Sequence, residues 1–530
     1  MPSAKEKVVA YFKSDKKSAA EKKLVFKLDF FILTFCCMAY FMNYLDRQNL
    51  TQAYVSGMKE DLNFKGNQLT VINTIYAVGY LLGIVPNNAM VTYFRPGRFF
   101  PFMMTTWACI TMTTASAQKP QHIMAIRFFQ GFFESCTFAG THYILGSWYT
   151  EGELGKRSGL FTASGLAGGI FGGLLQAAIY RSMNGLAGLA GWRCKTLISV
   201  LTLPNYFCSL TNEWLTSLAI IRVIYRKSQH TSNADFDLSE SLINVKQIDG
   251  LITLPVAAYG YFFFPDTPRQ TTAMYFTQEE KELAMARVPE KPRQPILTKT
   301  FVQRVATSPY FYSFIVLWTI TNCIEQQSTS SLLQLWMKYN KDHKYSVYEL
   351  NNWPTGVQAV GITSTLLWAT GTDIFGGRWL ANYYLAFTAI VSATIILIPS
   401  TPTAGIFGAY YWAGSIYACQ ATSFAWANDV MKLEDHAFRA VIIGFMNFGG
   451  NTFNAFWPLI FFSVDQAPYF TRGMYCMIVI GTLLAIWTTL IVLYFRRMNK
   501  RKQLLVIDAP EGSEEGSVVV LEESVGDKKV

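Results

Sequence analysis

The chain of 530 residues is 51% hydrophobic and 15% aromatic but only 15% charged, and its net charge is +10. Soluble domains are about a quarter charged. Here the apolar residues gather into runs of about 20, the length that crosses a bilayer, which excludes a soluble enzyme. The positive excess lies in the tails and alternate loops, where it orients a membrane protein rather than forming a nucleic-acid surface.

A polar leader, residues 1–27, holds eight lysines and precedes the first apolar run, which therefore reads as a retained helix and not a cleaved signal. Apolar segments follow at 28–46, 69–92, 98–117, 120–149, 157–180 and 248–264, then at 308–338, 354–372, 378–400, 404–428, 439–462 and 473–495. The expectation is an all-α membrane protein with twelve transmembrane helices in two six-helix halves, 28–264 and 308–497, joined by the loop 265–307. Lysine and arginine crowd the leader, that loop (Arg269, Lys281, Arg287, Lys291, Arg293, Lys299, Arg304) and the last exit (Arg496, Arg497, Lys500, Arg501, Lys502). Positive charge marks the cytoplasmic face, so both termini are expected there. Residues 498–530, with their acidic end, read as a disordered tail. Seven of the nine cysteines lie in apolar runs, where they act as small hydrophobes.

One stretch breaks the symmetry. Residues 28–264 number 237 and 308–497 number 190; without the 54 residues 194–247 the first half has 183. That stretch opens with a Thr/Ser-rich patch, 197–221, broken by Pro204 and Glu213, and ends in a patternless polar run. A thirteenth span there would move the basic loop and the C-terminus to the wrong sides. It reads as a foreign insertion of the kind a retained intron would leave.

Ionisable residues inside a bilayer cost several kcal/mol and are functional by default. Asp46 and Arg47 close the first run and, read alone, form an ordinary interfacial pair. Arg127 and Glu134 lie seven residues apart, two turns, on one face of span four. Arginine forks two hydrogen bonds onto a carboxylate and stays charged when desolvated. A glutamate in apolar surroundings can take up a proton near neutral pH. That face thus offers an anion clamp and a proton acceptor, or else a structural pair. His142, two turns on, reads as a packing residue, and the glycines 165, 168, 169, 172 and 173 as a close-packing stripe. Span seven carries Asn322, Glu325, Gln326 and Gln327; span eleven carries Asn447, Asn451 and Asn454 along one stripe, which lines a cavity or joins helices. The sequon Asn49-Leu50-Thr51 falls just outside the first run.

Several stretches resemble one family. They are Asn43-Tyr-Leu-Asp46-Arg47, Ala53-Tyr-Val-Ser-Gly-Met-Lys-Glu-Asp-Leu62, Val85-Pro-Asn-Asn88, Ile126-Arg-Phe-Phe-Gln-Gly-Phe-Phe-Glu-Ser-Cys-Thr-Phe138, Gly140-Thr-His-Tyr-Ile-Leu-Gly-Ser-Trp-Tyr149 and Gly188-Leu-Ala-Gly-Trp-Arg193. They are similar to the fungal anion:cation symporter branch of the major facilitators, the allantoate/vitamin permease group, with Glu134-Ser-Cys-Thr-Phe138 and Gly140-Thr-His-Tyr143 looking like yeast pantothenate transporters. Two six-span halves around a central site are the layout of that architecture. The resemblance implies that Arg47 and Arg127 bind the substrate anion, that Asp46 and Glu134 relay protons, and that Asp373 and Arg378 within Asp373-Ile-Phe-Gly-Gly-Arg378 form a cytoplasmic latch; Asn322, Glu325, Asn447 and Asn451, read from their place inside the spans, are expected to join the substrate site. It implies a monomer in the fungal plasma membrane that imports a small carboxylate with protons; pantothenate leads, with biotin, nicotinate and allantoate open because each offers one carboxylate to the same arginines. The rest of the pocket is expected to be apolar and aromatic. A nutrient sensor that binds without transporting is the other class. No P-loop, metal-spaced Cys/His cluster or nucleophile elbow occurs, so no enzyme activity, cofactor, metal or nucleic-acid partner is expected.

Overall fold

A computed structural model describes residues 18–183, 248–288, 298–431, 434 and 436–507; the segment 194–247 and residues 508–530 lie outside the described residues, while 498–507 of the expected disordered tail continue the last helix, which corrects that boundary. Among the described residues, twelve long helical segments follow one another. Spans one to six are Ala19–Asp61, Gln68–Tyr93, Pro96–Thr113, Pro120–Trp148 (in two pieces), Glu151–Met183 and Ile248–Phe263. Spans seven to twelve are Pro309–Tyr339 (in pieces), Thr355–Phe375, Trp379–Leu397, Thr403–Val430 (in pieces), His436–Phe461 and Thr471–Ile507. By length and apolarity, four described helices qualify as crossings unaided, Ala19–Asp61, Lys156–Ala178, Trp379–Leu397 and Thr471–Met498. The others carry polar residues or breaks that the bundle itself must satisfy.

Helix starts are written locally. Pro96, Pro120 and Pro309 open their helices at the first turn, where a missing N–H costs nothing. Ser18 and Thr277 form capping boxes with Glu21 and Glu280. The leader helix and the loop helix Gln278–Arg287 that these caps begin are tied together: Lys27 Nζ donates to Glu280 Oε2 at 2.7 Å, and Arg287 reaches Glu21 at 3.5 Å and Glu153 at the start of span five. The leader and the central loop therefore share one side of the bundle, called here the terminal side.

Span one runs well past residue 46, which corrects the expected boundary. Seven of the ten residues from Asn43 to Gln52 are polar, so local hydropathy falls, but Asn43, Asp46 and Gln52 are buried against other spans and the helix continues. Asp46 and Arg47 are mid-helix residues, not an interfacial pair, and Asn49 of the sequon is buried within the helix Thr34–Ala53. Three spans expected to be continuous are broken. In span four the break falls at Ser135, where Asn87 of span two donates to the Phe132 carbonyl at 2.7 Å and to Ser135 Oγ at 2.8 Å. In span seven a 3-10 turn, Gln326–Ser328, is held by Ser328 Oγ on the Glu325 carbonyl and Thr329 Oγ1 on that of Gln326. Span ten tightens at Gly414–Ala418.

Packing between the halves is unequal along the membrane normal. On the side away from the termini, one apolar cluster contains residues of both halves, including Tyr54, Met58 and Leu69 with Trp336, Leu350 and Phe470. Polar bonds reinforce it: Tyr54 and Tyr339 share a hydrogen bond at 2.9 Å, Lys338 donates to the Tyr54 carbonyl at 2.9 Å and Asn351 to Ser56 Oγ at 3.0 Å. Toward the termini there are instead two clusters, one per half. The glycine stripe of span five permits two close contacts: a methyl at Gly168 would land on the Phe41 carbonyl oxygen of span one, within the same half, and one at Gly169 on the Gln358 side chain of span eight, across the halves.

Candidate functional site

Between the halves lies a cavity of about 260 Å³. The first half lines it with Arg47, Arg127, Asn73, Tyr76 and Tyr80; the second with Gln326, Asn451 and Asn454, besides smaller hydroxyl and apolar residues. Of the expected substrate ligands, Arg47, Arg127 and Asn451 line this space. Asn447 lies further along the same helix and accepts from Asn451 Nδ2 at 2.8 Å; Asn322 and Glu325 sit beside the cavity and bond to each other at 3.3 Å. Besides the two arginines, apolar and aromatic residues such as Leu69, Leu332 and Phe462 share the lining with neutral amides and hydroxyls, a polar component beyond the apolar and aromatic pocket expected. The break in span seven produces part of this polarity, turning Gln326, Thr329 and Ser331 toward the cavity, and Gln326 hydrogen-bonds Asn454.

Glu134 is fully buried and is the focus of four donors from three helices. Asn43 Nδ2 lies 3.0 Å and the Tyr76 hydroxyl 2.5 Å from Oε2, Arg47 Nε lies 3.5 Å from the same oxygen, and Gln130 Nε2 lies 2.7 Å from Oε1. The cation paired with Glu134 is thus Arg47 of span one. Among the described residues no ion pair joins Arg127 to Glu134, so the reading of those two as an intrahelical pair falls away. Arg47 is stacked over three tyrosines, with its guanidinium carbon 5.6 Å from the ring centre of Tyr44, 5.4 Å from Tyr76 and 4.9 Å from Tyr80. Aromatic faces partly replace the hydration of a guanidinium without consuming its donors. The side chain keeps 29% of its surface exposed.

Arg127 is 5% exposed and donates Nη2 to the backbone carbonyl of Asp46 at 3.3 Å, while its Nε has no hydrogen-bond partner. The guanidinium therefore lines the cavity with hydrogen-bonding capacity that the protein leaves unused. Asp46 itself is buried beneath Arg127. His142 packs its ring on Phe138 and Phe161 and bonds the Phe138 carbonyl at 2.9 Å, consistent with packing.

Asp373 and Arg378 meet on the terminal side. Gly376 and Gly377, at φ 75° and 72°, take the left-handed conformation that reverses the chain after span eight. Arg378 is thereby returned to fork between Asp373 Oδ1 and Asp429 Oδ2 of span ten, both at 2.7 Å. Asp429 was not among the expected residues, for nothing local singles it out. Tyr76 and Tyr80 were missed for another reason: in an apolar run an aromatic at helical spacing reads as filler.

A profile of the Major Facilitator Superfamily matches residues 36–203. The chain is 35% identical over 493 residues to the pantothenate transporter liz1 of Schizosaccharomyces pombe, which covers 93% of this chain and 85% of that protein. It is 34% identical over 507 residues to the pantothenate transporter FEN2 of Saccharomyces cerevisiae, covering 94% and 88%. The vitamin H transporter of Saccharomyces cerevisiae is 26% identical, covering 93% and 77%. Among solved structures, a bacterial homolog to the human lysosomal transporter Spinster, in an inward-facing and occupied conformation, superposes with a TM-score of 0.55 at 14% identity, covering 87% of this chain and 96% of that one, a likeness of fold.

Proposed function

Because the chain belongs to the major facilitator superfamily and is a membrane transporter, we propose that it imports pantothenate with protons across the plasma membrane, both termini facing the cytoplasm. One observation carries this reading: Arg47, the cation at the cavity wall, is held by Glu134, while Arg127 beside it keeps a free donor. A substrate carboxylate competes with Glu134 for Arg47. Protonation of Glu134 ends that competition, so proton loading and anion binding favour one another. Arg47 and Arg127 then clamp the carboxylate from the first half.

Pantothenate also carries an amide and two hydroxyls. Gln326, Asn451 and Asn454 from the second half present neutral donors and acceptors for those groups. This division favours pantothenate over nicotinate, whose ring offers no hydroxyl. Substrate spanning both halves is what couples binding to their rocking motion. Asp46, buried under Arg127, joins Glu134 as a candidate in the proton path, and the fork of Arg378 on Asp373 and Asp429 is the latch that forms and parts on the terminal side.

The test is uptake of labelled pantothenate by yeast lacking its own carrier, at acid and neutral external pH, with excess unlabelled biotin, nicotinate and allantoate. Acid-stimulated uptake that resists the competitors is expected. A protein at the cell surface that takes up no pantothenate would sink the assignment, and binding without accumulation would move the chain to the sensor class.

A further inference from the structure

Glu325 ends the first piece of span seven, one residue before the cavity-lining Gln326. It is 9% exposed. Like Glu134 it is held by primary amides, but among the described residues no cation joins them. Gln420 Nε2 donates to Oε1 at 2.6 Å, Asn322 Nδ2 to Oε2 at 3.3 Å, and the Cys419 thiol points to Oε2 at 3.7 Å. Span ten also brings the Tyr417 phenol, which bonds Tyr44 of span one at 2.5 Å. Spans eleven and twelve pack on the same piece of span seven, and no ion pair among the described residues includes Glu325.

A buried carboxylate with no countercharge is costly in its ionised form. The surroundings of Glu325 are suited to both of its forms. A primary amide offers N–H to a carboxylate and, turned over, C=O to a carboxylic acid. Asn322 Oδ1 and Gln420 Oε1 are both buried and without a hydrogen-bond partner, so each side chain holds an acceptor in reserve beside Glu325. Arg47, which Glu134 has in addition to its amides, serves only the anion. The location adds a means of access. Tyr44–Tyr417 joins the two halves next to Glu325, and a rocking motion must part that bond and change which side of the membrane reaches the carboxyl.

We propose that Glu325 is a second proton site, loaded and emptied once per transport cycle and separate from Glu134. A proton adds to a carboxylate oxygen from one side and leaves the same group to the other, with no other bond changed. This rests on the proton-coupled reading above. It makes the cycle carry at least two protons with each monovalent anion, and so move net positive charge inward.

The full chain, purified and placed in proteoliposomes in sodium-free buffer, should accumulate labelled pantothenate while carrying at least one net positive charge per substrate. E325Q keeps the shape of the side chain and fixes it as neutral. It should still accumulate pantothenate down a pH gradient with one positive charge fewer per substrate, whereas E134Q should lose accumulation. The wild-type charge ratio decides even if E325Q folds poorly. Electroneutral wild-type transport, an unchanged ratio in E325Q, or a requirement for sodium each overturns the inference while leaving pantothenate transport standing. No pantothenate flux in the wild type would overturn the functional reading and this inference with it.

Discussion

Replacing Glu134 by glutamine tests the competition at the centre of the site. Glutamine keeps the volume, and its carbonyl can still accept from Tyr76 and Asn43 while Gln130 turns its own amide to face the new N–H. What is lost is the charge that holds Arg47. A hydrogen bond to a charged group contributes about 1.5–3 kcal/mol. Arg47 Nε stands 3.5 Å from Oε2 and its side chain is 29% exposed, so the low end applies. Releasing about 1.5 kcal/mol of competition tightens binding of a carboxylate roughly tenfold. Purified E134Q should therefore bind pantothenate about tenfold more tightly than wild type at neutral pH, with no further gain in acid, because it mimics the protonated carrier. In cells it should exchange substrate but fail to concentrate it. Calorimetric titration at acid and neutral pH reads the first part, and uptake reads the second. Weaker binding at neutral pH, or accumulation still driven by acid, would refute the competition.

Four further outcomes follow from the same geometry. R378K keeps the charge but loses the fork onto Asp373 and Asp429; turnover should fall by roughly tenfold, from the loss of at least one charge-assisted bond, with substrate affinity unchanged in the titration. G168A drives a methyl into the Phe41 carbonyl and should cost about 1–3 kcal/mol in a thermal unfolding assay in detergent, whereas G159A, with nothing near its added methyl, should cost nothing. Burial pushes the Glu280 carboxyl up, but the Lys27 bond and the Thr277 backbone outweigh it and hold the group below its ordinary range; the contact therefore contributes at neutral pH and is lost only as acid protonates it through that lowered value. E280Q should loosen the leader at neutral pH by about 1 kcal/mol, seen as faster proteolysis near Lys27. Excising residues 194–247 should raise surface expression and uptake, and mature messenger RNA should lack those 54 codons; finding them there would defeat the insertion reading.

The spans were legible because hydropathy is a local property. Their interruptions were not. The break at Ser135 depends on Asn87, 48 residues away, drawing off a carbonyl, and no periodicity within span four records that. The same distinction explains the first span. A run of polar residues from Asn43 to Gln52 lowers hydropathy wherever those side chains point, and only their partners on spans two and four reveal that the helix continues. At the site, charged residues inside spans were conspicuous, which made Arg47, Arg127 and Glu134 candidates. Which arginine holds Glu134 was not legible, since spacing within span four favoured Arg127 and the pairing is made across helices. Neutral residues such as Asn73 and Gln326 acquire their meaning from the cavity alone.

The single apolar cluster that closes the side away from the termini has a thermodynamic consequence. To admit substrate from that side the halves must part there, bringing contiguous apolar surface into contact with water. Such exposure raises heat capacity, so the enthalpy of this one step changes with temperature, while rearranging the polar fork at Arg378 contributes little of that kind. The balance between the two access states should drift toward the open far side on cooling, as hydrophobic burial weakens, and the rate of transport should trace a curve, not a line, on a logarithmic plot against reciprocal temperature.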